Sequence, residues 1–134
     1  MAPSQALSHV AMSVHPDAFT DEWREQVLTF YGEVFGWKEM DSLRLPDRMT
    51  IAVGAQYINV RARDDAPAYN GYEHFGVVFD SEDELRKVWD TLSKHAAGIP
   101  LEPISESPDG FLTFRFRHLL PLAIEPQFFP PRGG

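Results

Sequence analysis

The chain contains no cysteine. That excludes disulfides, thiolate nucleophiles and sulfur-ligated metals, so any metal must be held by nitrogen and oxygen donors. Long apolar runs are missing too: none approaches the ~20 residues a membrane span needs, and nothing at the N-terminus reads as a charged stretch leading into an apolar core. The expectation is a cytoplasmic protein without a membrane partner. Basic residues are scarce, with 12 Lys and Arg against 20 Asp and Glu for a formal charge of −8. Such a balance repels nucleic-acid phosphates, and no nucleic-acid partner is expected. What is there is 134 residues, 43% hydrophobic and 13% aromatic, enough for one domain with a substantial core.

The chain repeats itself. His9 opens the alternating run His9-Val-Ala-Met-Ser-Val14, and 65 residues later His74 opens His74-Phe-Gly-Val-Val-Phe79. Each run leads into an acidic helix start. Asn59, in Tyr57-Ile-Asn-Val-Arg61, and Glu125, in Ala123-Ile-Glu-Pro-Gln127, stand 66 residues apart. Duplicated modules that cannot bury a sheet face alone tend to pack on one another.

Periodicity gives the element order. Residues 8–14 alternate as a strand, with Val10, Met12 and Val14 on one face and His9, Ala11 and Ser13 on the other. Thr20 is the expected N-cap of a helix carrying Phe19, Trp23, Val27, Phe30, Tyr31 and Val34 at helical spacing and stopped by Gly36. Strands are predicted at Lys38 to Leu45, Met49 to Val53 and Gln56 to Ala62. A polar linker spans 63–72. The second module repeats the order: a strand from His74, a helix capped by Ser81 with Leu85, Val88, Trp89 and Leu92 inward, an edge segment near Leu101 to Ile104, a strand from Phe111 to Phe116 and a last strand from Leu122 to Gln127. The stretch Ser105 to Gly110 reads as a hairpin connection rather than a lid, and Pro130, Pro131 and the closing glycines as a frayed tail. The expected organisation is one domain over 1–134, with modules at about 7–62 and 73–128 and a tail at 129–134.

Projection of the strands sorts the chemistry. His9, His74 and Glu125 fall on the small-residue faces, away from the bulky positions that serve the helices. Arg61, Arg115 and Arg117 fall on the same side, where an inward arginine either clamps a substrate carboxylate or phosphate or sits on a solvent-facing rim paired with a nearby Asp or Glu, and Tyr57 and Thr113 would line the pocket on the same projection. A single His on a strand is usually a hydrogen-bonded structural residue, but two at repeat-related positions with a carboxylate point to a metal. His15, His95 and His118, at a strand exit, a helix end and a turn, suit capping or solvated roles. The aromatic stripe and Val88 with Trp89 read as core packing.

The repeat and its His9, Asn59, His74 and Glu125 positions resemble the vicinal oxygen chelate superfamily of glyoxalase I, extradiol dioxygenases, methylmalonyl-CoA epimerase, fosfomycin-resistance enzymes and metal-free bleomycin-resistance proteins. The likeness runs from about Leu7 to Phe128. The segment Phe30-Tyr31-Gly32-Glu33-Val34-Phe35-Gly36-Trp37 is similar to the family's phenylalanine-tyrosine helix end with its glycine and following aromatic or aliphatic residue. The resemblance implies an α+β fold of two βαβββ modules packed into a curved mixed sheet around a central cavity. It also implies a divalent metal (Fe, Mn, Zn or Ni) held by His9, His74 and Glu125, with Asn59 as candidate fourth ligand and Glu125 as the catalytic group.

Three departures stand out. Asn59 is one methylene shorter than the Glu or Gln usual in metal-dependent glyoxalases. The extra His of the extradiol dioxygenases is missing, and Arg115 and Arg117 lie where those enzymes carry a Tyr. His118-Leu-Leu-Pro121 replaces the family's common Asp-Pro-Asp-Gly turn. The resemblance still implies an enzyme of lyase, isomerase or oxygenase type, a homodimer, acting on a small oxygen-chelating substrate through a Lewis-acidic metal. The alternative is a metal-free, bleomycin-resistance-like sequestering protein, whose cationic ligand the charge of −8 would suit. A degenerate paralogue acting as a partner subunit is the third reading.

Overall fold

The alternation of residues 8–14 becomes strand β1, His9–Val14, in a computed structural model that describes residues 4–131. By its contacts the chain divides into two units between Ala68 and Tyr69. Each builds one α+β layer pair. In the first unit β1 pairs in parallel with β4, Gln56–Ala62, which pairs antiparallel with β3, Arg48–Val53. Strand β2, Lys38–Glu39, closes the order β1-β4-β3-β2.

Helix α1, Asp21–Phe35, forms where the pattern of apolar positions demands it. The Thr20 hydroxyl accepts from the Trp23 N–H at 3.0 Å, satisfying a donor that the first turn leaves open. Gly36, at φ 75°, takes the left-handed conformation that ends a helix at low steric cost. The chain then folds back so that Trp37 stacks on Tyr31 with ring centroids 5.2 Å apart, which is the physical content of the aromatic-glycine-aromatic segment. Val27, Phe30 and Tyr31 of α1 and Met12, Met49, Ile51, Ile58 and Val60 of the sheet are all buried. Burial pushes the Tyr31 phenol above its usual range.

Strand β2 is shorter than expected. Instead of running to Leu45 it gives way to a 3-10 turn at Asp41–Leu43. Arg24 is the reason that periodicity could not supply. It is 2% exposed, donates to the carbonyls of Leu45 at 3.0 Å and Arg48 at 3.1 Å, and lies 4.8 Å from the centre of the Phe19 ring. Arg44 meanwhile grips Glu39 at 2.7 and 2.9 Å. The two arginines draw residues 44–48 back over the helix, and the strand cannot continue.

The second unit repeats the plan. β5, His74–Val78, pairs in parallel with β8, Ala123–Phe128; β7, Leu112–Thr113, and β6, Ser105–Glu106, complete the order β5-β8-β7-β6. Helix α2, Glu82–Ser93, is capped by Ser81, whose hydroxyl accepts from the Glu84 N–H at 3.1 Å, and it buries Leu85, Val88 and Leu92. The expected edge segment shifts: Leu101 makes only an isolated bridge to Phe116, while β6 forms inside the predicted connection. Trp89 Nε1 fixes the segment by donating to the Glu102 carbonyl at 2.9 Å. Gly110, at φ 90°, turns the β6–β7 hairpin, its N–H donating to the Ser107 carbonyl at 2.9 Å.

The predicted 111–116 strand is interrupted after Thr113 for a covalent reason. Phe116 and Ile124 exchange both backbone hydrogen bonds, at 3.1 and 2.9 Å, so two residues along the ladder Phe114 and Pro126 should do the same. Pro126 has no N–H. Only the Phe114 N–H to Pro126 carbonyl bond survives, at 3.4 Å. At the C-terminus Phe129 packs on Phe111 with ring centroids 4.8 Å apart; of the expected frayed tail, residues 132–134 lie outside the described residues, as do residues 1–3 at the other end.

Register makes the repeat quantitative. In β1–β4 the residue opposite Asn59 is Ala11, two beyond His9. In β5–β8 the residue opposite Glu125 is Gly76, two beyond His74. Asn59 and Glu125 therefore hold equivalent places.

Candidate functional site

In the second unit, parallel pairing puts His74, Gly76, Glu125 and Gln127 on one face of the sheet, because Cα partners in register send side chains the same way. His74 Nε2 lies 3.2 Å from Glu125 Oε1, with the two side chains 26% and 16% exposed. Its other nitrogen, Nδ1, is 2.6 Å from the Tyr72 carbonyl. A carbonyl can only accept, so Nδ1 carries the proton and Nε2 of the neutral ring presents a lone pair. That lone pair faces a carboxylate. Both ring nitrogens thus look at acceptors, which a neutral imidazole with one N–H cannot satisfy; a second proton or a cation beside Nε2 resolves the conflict.

The separation suits a cation. Two cis ligands each ~2.1 Å from a zinc-like ion stand about 3.0 Å apart at an octahedral angle and about 3.4 Å at a tetrahedral one, and the observed 3.2 Å falls between. The Nδ1–carbonyl bond is the arrangement that orients a ligating imidazole. Glu125 is itself held. Its Oε2 accepts from Thr113 Oγ1 at 2.7 Å and from Gln127 Nε2 at 3.1 Å, leaving Oε1 as the oxygen turned to His74. Gly76 is needed for this: a Cβ there would stand 2.9 Å from Gln127 Oε1, inside the usual contact limit.

In the first unit His9 stacks on its register partner Tyr57, with centroids 4.6 Å apart and planes within 3°. Ser8 Oγ sits 2.8 Å from His9 Nδ1, so Nε2 is again the outer nitrogen. Asn59 Oδ1 is buried and has no hydrogen-bond partner, an arrangement that costs about 1–3 kcal/mol unless something electropositive meets it. The donor types and the orphaned oxygen fit a divalent ion. Among the described residues no group of three or more His, Asp and Glu side chains is already gathered to hold one.

The other expected site residues are placed as follows. Thr113 is engaged with Glu125 and, at 3.2 Å, with the Pro126 carbonyl. Arg115 shares their side of the sheet, opposite the buried Phe114 and Phe116, and reaches toward Glu125 and Glu102. Arg61 is exposed, in register with Ser13 and Arg48. Sequence reasoning missed Gln127 and the Tyr72 carbonyl as supports. The signal for Gln127 was only its i+2 position after Glu125, which puts the two on one face of β8.

The remaining histidines make other contacts. His15 Nδ1 accepts from the Asp17 N–H at 3.2 Å and His95 Nδ1 from the Ala97 N–H at 3.2 Å. His118 faces His95 with centroids 5.3 Å apart; burial first, and the neighbouring His95 second, hold its pKa below the usual value. The replaced turn after it is tight. Leu120 N–H donates to the His118 carbonyl at 2.7 Å across Leu119, whose φ is 66°, the signature of a strained γ-turn.

Comparison with solved structures identifies the fold. The chain superposes on a lactoylglutathione lyase from Agrobacterium tumefaciens with a TM-score of 0.67 at 22% identity, covering 94% of this chain and 95% of that one. For a glyoxalase/bleomycin resistance protein/dioxygenase family enzyme from Burkholderia phytofirmans the TM-score is 0.70 at 16% identity, over 90% and 96%. A genomically encoded fosfomycin resistance protein from Listeria monocytogenes gives 0.67 at 14%, over 96% of each chain. At these identities the likeness is one of fold. No curated protein matches the sequence significantly. Residues 8–117 match the Glyoxalase/Bleomycin resistance protein/Dioxygenase superfamily, and the chain belongs to that superfamily, whose members include lyases, isomerases and dioxygenases, bind small molecules and commonly use divalent metals and form dimers. Among the described residues no helix is long and apolar enough to cross a membrane.

Proposed function

We propose that the protein is a metal-dependent cytoplasmic enzyme, a homodimer of one-domain chains, that binds a small oxygen-chelating substrate at a divalent ion held by His9, His74 and Glu125. Asn59 serves as a weaker fourth donor. The observation that carries the reading is the pairing of His74 Nε2 with Glu125 Oε1 at 3.2 Å while His74 Nδ1 is already committed to the Tyr72 carbonyl. A bound divalent ion would supply Lewis acidity toward vicinal substrate oxygens. The chain's own residues do the rest. Tyr72 fixes the His74 tautomer; Thr113 and Gln127 hold Glu125 Oε2, so that Oε1 alone is presented. In the alternative role Glu125 leaves the ion, and the freed Oε1 takes or returns a substrate proton. Tyr57, Arg61, Thr113 and Arg115 belong to the substrate side of the site. A lyase, isomerase or oxygenase reaction is compatible with this set.

The test is metal content by elemental analysis of protein purified without chelator, alongside His9→Ala and His74→Ala. About one equivalent of iron, manganese, nickel or zinc, lost in both variants, is expected. Wild-type protein that takes up no metal even after reconstitution would overturn the reading in favour of a metal-free ligand-binding protein.

A further inference from the structure

Arg115 is paired unlike Arg44, Arg63 and Arg86, which hold carboxylates directly, and unlike Arg24, which stands 4.0 Å from Glu39 but is satisfied by the Leu45 and Arg48 carbonyls. Arg44, Arg63 and Arg86 each reach an oxygen at 2.7 Å, the length of a charge-assisted hydrogen bond. Arg115 Nε stops 3.5 Å from Glu102 Oε1 and 3.9 Å from Glu125 Oε1, although its side chain is only 34% exposed. The surroundings explain why the guanidinium stays unsaturated. Glu125 Oε2 already receives Thr113 and Gln127, so Glu125 cannot offer the two parallel oxygens that a guanidinium fork matches. Nη1 points at His74 Nδ1 from 3.5 Å, and that nitrogen gives its proton to Tyr72, so no acceptor stands there. Glu102 is a rim residue with a side chain 59% exposed.

We propose that Arg115 anchors an oxyanion subsite: the ligand carries a carboxylate, or a comparable two-oxygen anion, received by the guanidinium beside the His74–Glu125 pair. The placement of the ligand's remaining oxygens rests on the metal-centre reading of the preceding subsection; the guanidinium subsite does not. A chain of net charge −8 repels small anions as a whole, so an anionic ligand needs a local cation, and Arg115 is a part-buried one lacking a short carboxylate partner.

The experiment is calorimetric titration of oxalate into wild type, Arg115→Met and Arg115→Lys, each reconstituted with metal and each stripped of it. Wild type should bind oxalate in both states, more tightly with metal. Arg115→Met should weaken binding about 10-fold or more in both states, and Arg115→Lys, which keeps the charge and loses the fork, by an intermediate factor. Oxalate affinity within twofold of wild type in Arg115→Met, or no binding to wild type in either state, overturns the subsite. If wild type takes up no metal, the metal-centre reading fails, and the metal-free titrations still decide the fate of Arg115.

Discussion

Replacing Gly76 by alanine separates the support of the site from the stability of the fold. The new Cβ would stand 2.9 Å from Gln127 Oε1, while the Glu125 backbone carbonyl is at an ordinary 3.5 Å. The yielding atom is thus the end of a flexible side chain. If Gln127 swings away, its hydrogen bond to Glu125 Oε2 at 3.1 Å is lost. A bond to a charged group contributes about 1.5–3 kcal/mol when well buried and less at a half-exposed site such as this. Against that, alanine at an ordinary backbone conformation stabilises by ~0.4–1 kcal/mol through the unfolded chain. The two nearly offset, and Gly76→Ala should shift unfolding free energy by no more than about 1 kcal/mol. Glu125, however, loses one of its two anchors, and, on the proposed metal-centre reading, affinity for the ion should fall about 10-fold, the lower end of what support residues contribute. Urea denaturation reads the first quantity; competition with a chromophoric chelator reads the second. The double variant Gly76→Ala with Gln127→Ala checks the cause, because without Gln127 the added methyl meets nothing. It should bind metal as Gln127→Ala does alone. Additive losses in the double variant, or a stability cost beyond about 3 kcal/mol, would refute the argument.

Other perturbations report on separate parts of the molecule. Arg24→Met leaves the Leu45 and Arg48 carbonyls without their donor and should cost about 3 kcal/mol in urea unfolding; a change under 1 kcal/mol would mean the 44–48 segment needs no tether. Thr113→Val removes the 2.7 Å bond to Glu125 Oε2 and, if the proposed metal centre is right, should weaken metal binding about 10-fold, with Thr113→Ser restoring most of it; equal defects in both would point to packing instead. His118 has a pKa lowered from 6.5, so the unfolded chain takes up a proton before the folded one does. Its contribution to stability is complete above about pH 6.5 and is lost as pH falls through the lowered folded value. His118→Gln should flatten that part of the stability profile, measured by urea unfolding at pH 7.5 and 5.5, and an unchanged slope would show that other groups set it.

Much of the fold was legible because two periodicities are strong: the alternation of β1, β4, β5 and β8 and the helical stripe of α1 and α2 coincide with the observed elements to within a residue or two. What escaped was set by single side chains acting across sequence. Arg24 shortens β2 from the far side of a helix turn, and Pro126 breaks a ladder whose other strand reads as continuous. At the site, the residue types and their repeat-related spacing singled out His74 and Glu125, and the structure places them in contact. The tether on Glu125 was not legible, since it depends on Gln127 lying across a glycine of the neighbouring strand. Thr113 was singled out for the pocket wall and is found bonded to the carboxylate.

The matched register of the two sheets has an evolutionary consequence. A parallel ladder is made by backbone atoms, so it fixes where a side chain is delivered and is indifferent to which side chain arrives. Positions 59 and 125 are one address written twice, each opposite the residue two beyond a strand-opening histidine. One copy holds a carboxylate, the other an amide whose oxygen is buried without a partner. Selection can rewrite the donor at either address without disturbing the strands that carry it. A duplicated chain of this kind can change the chemistry at one copy independently of the other, and the amide at 59 against the carboxylate at 125 shows the two copies already differing.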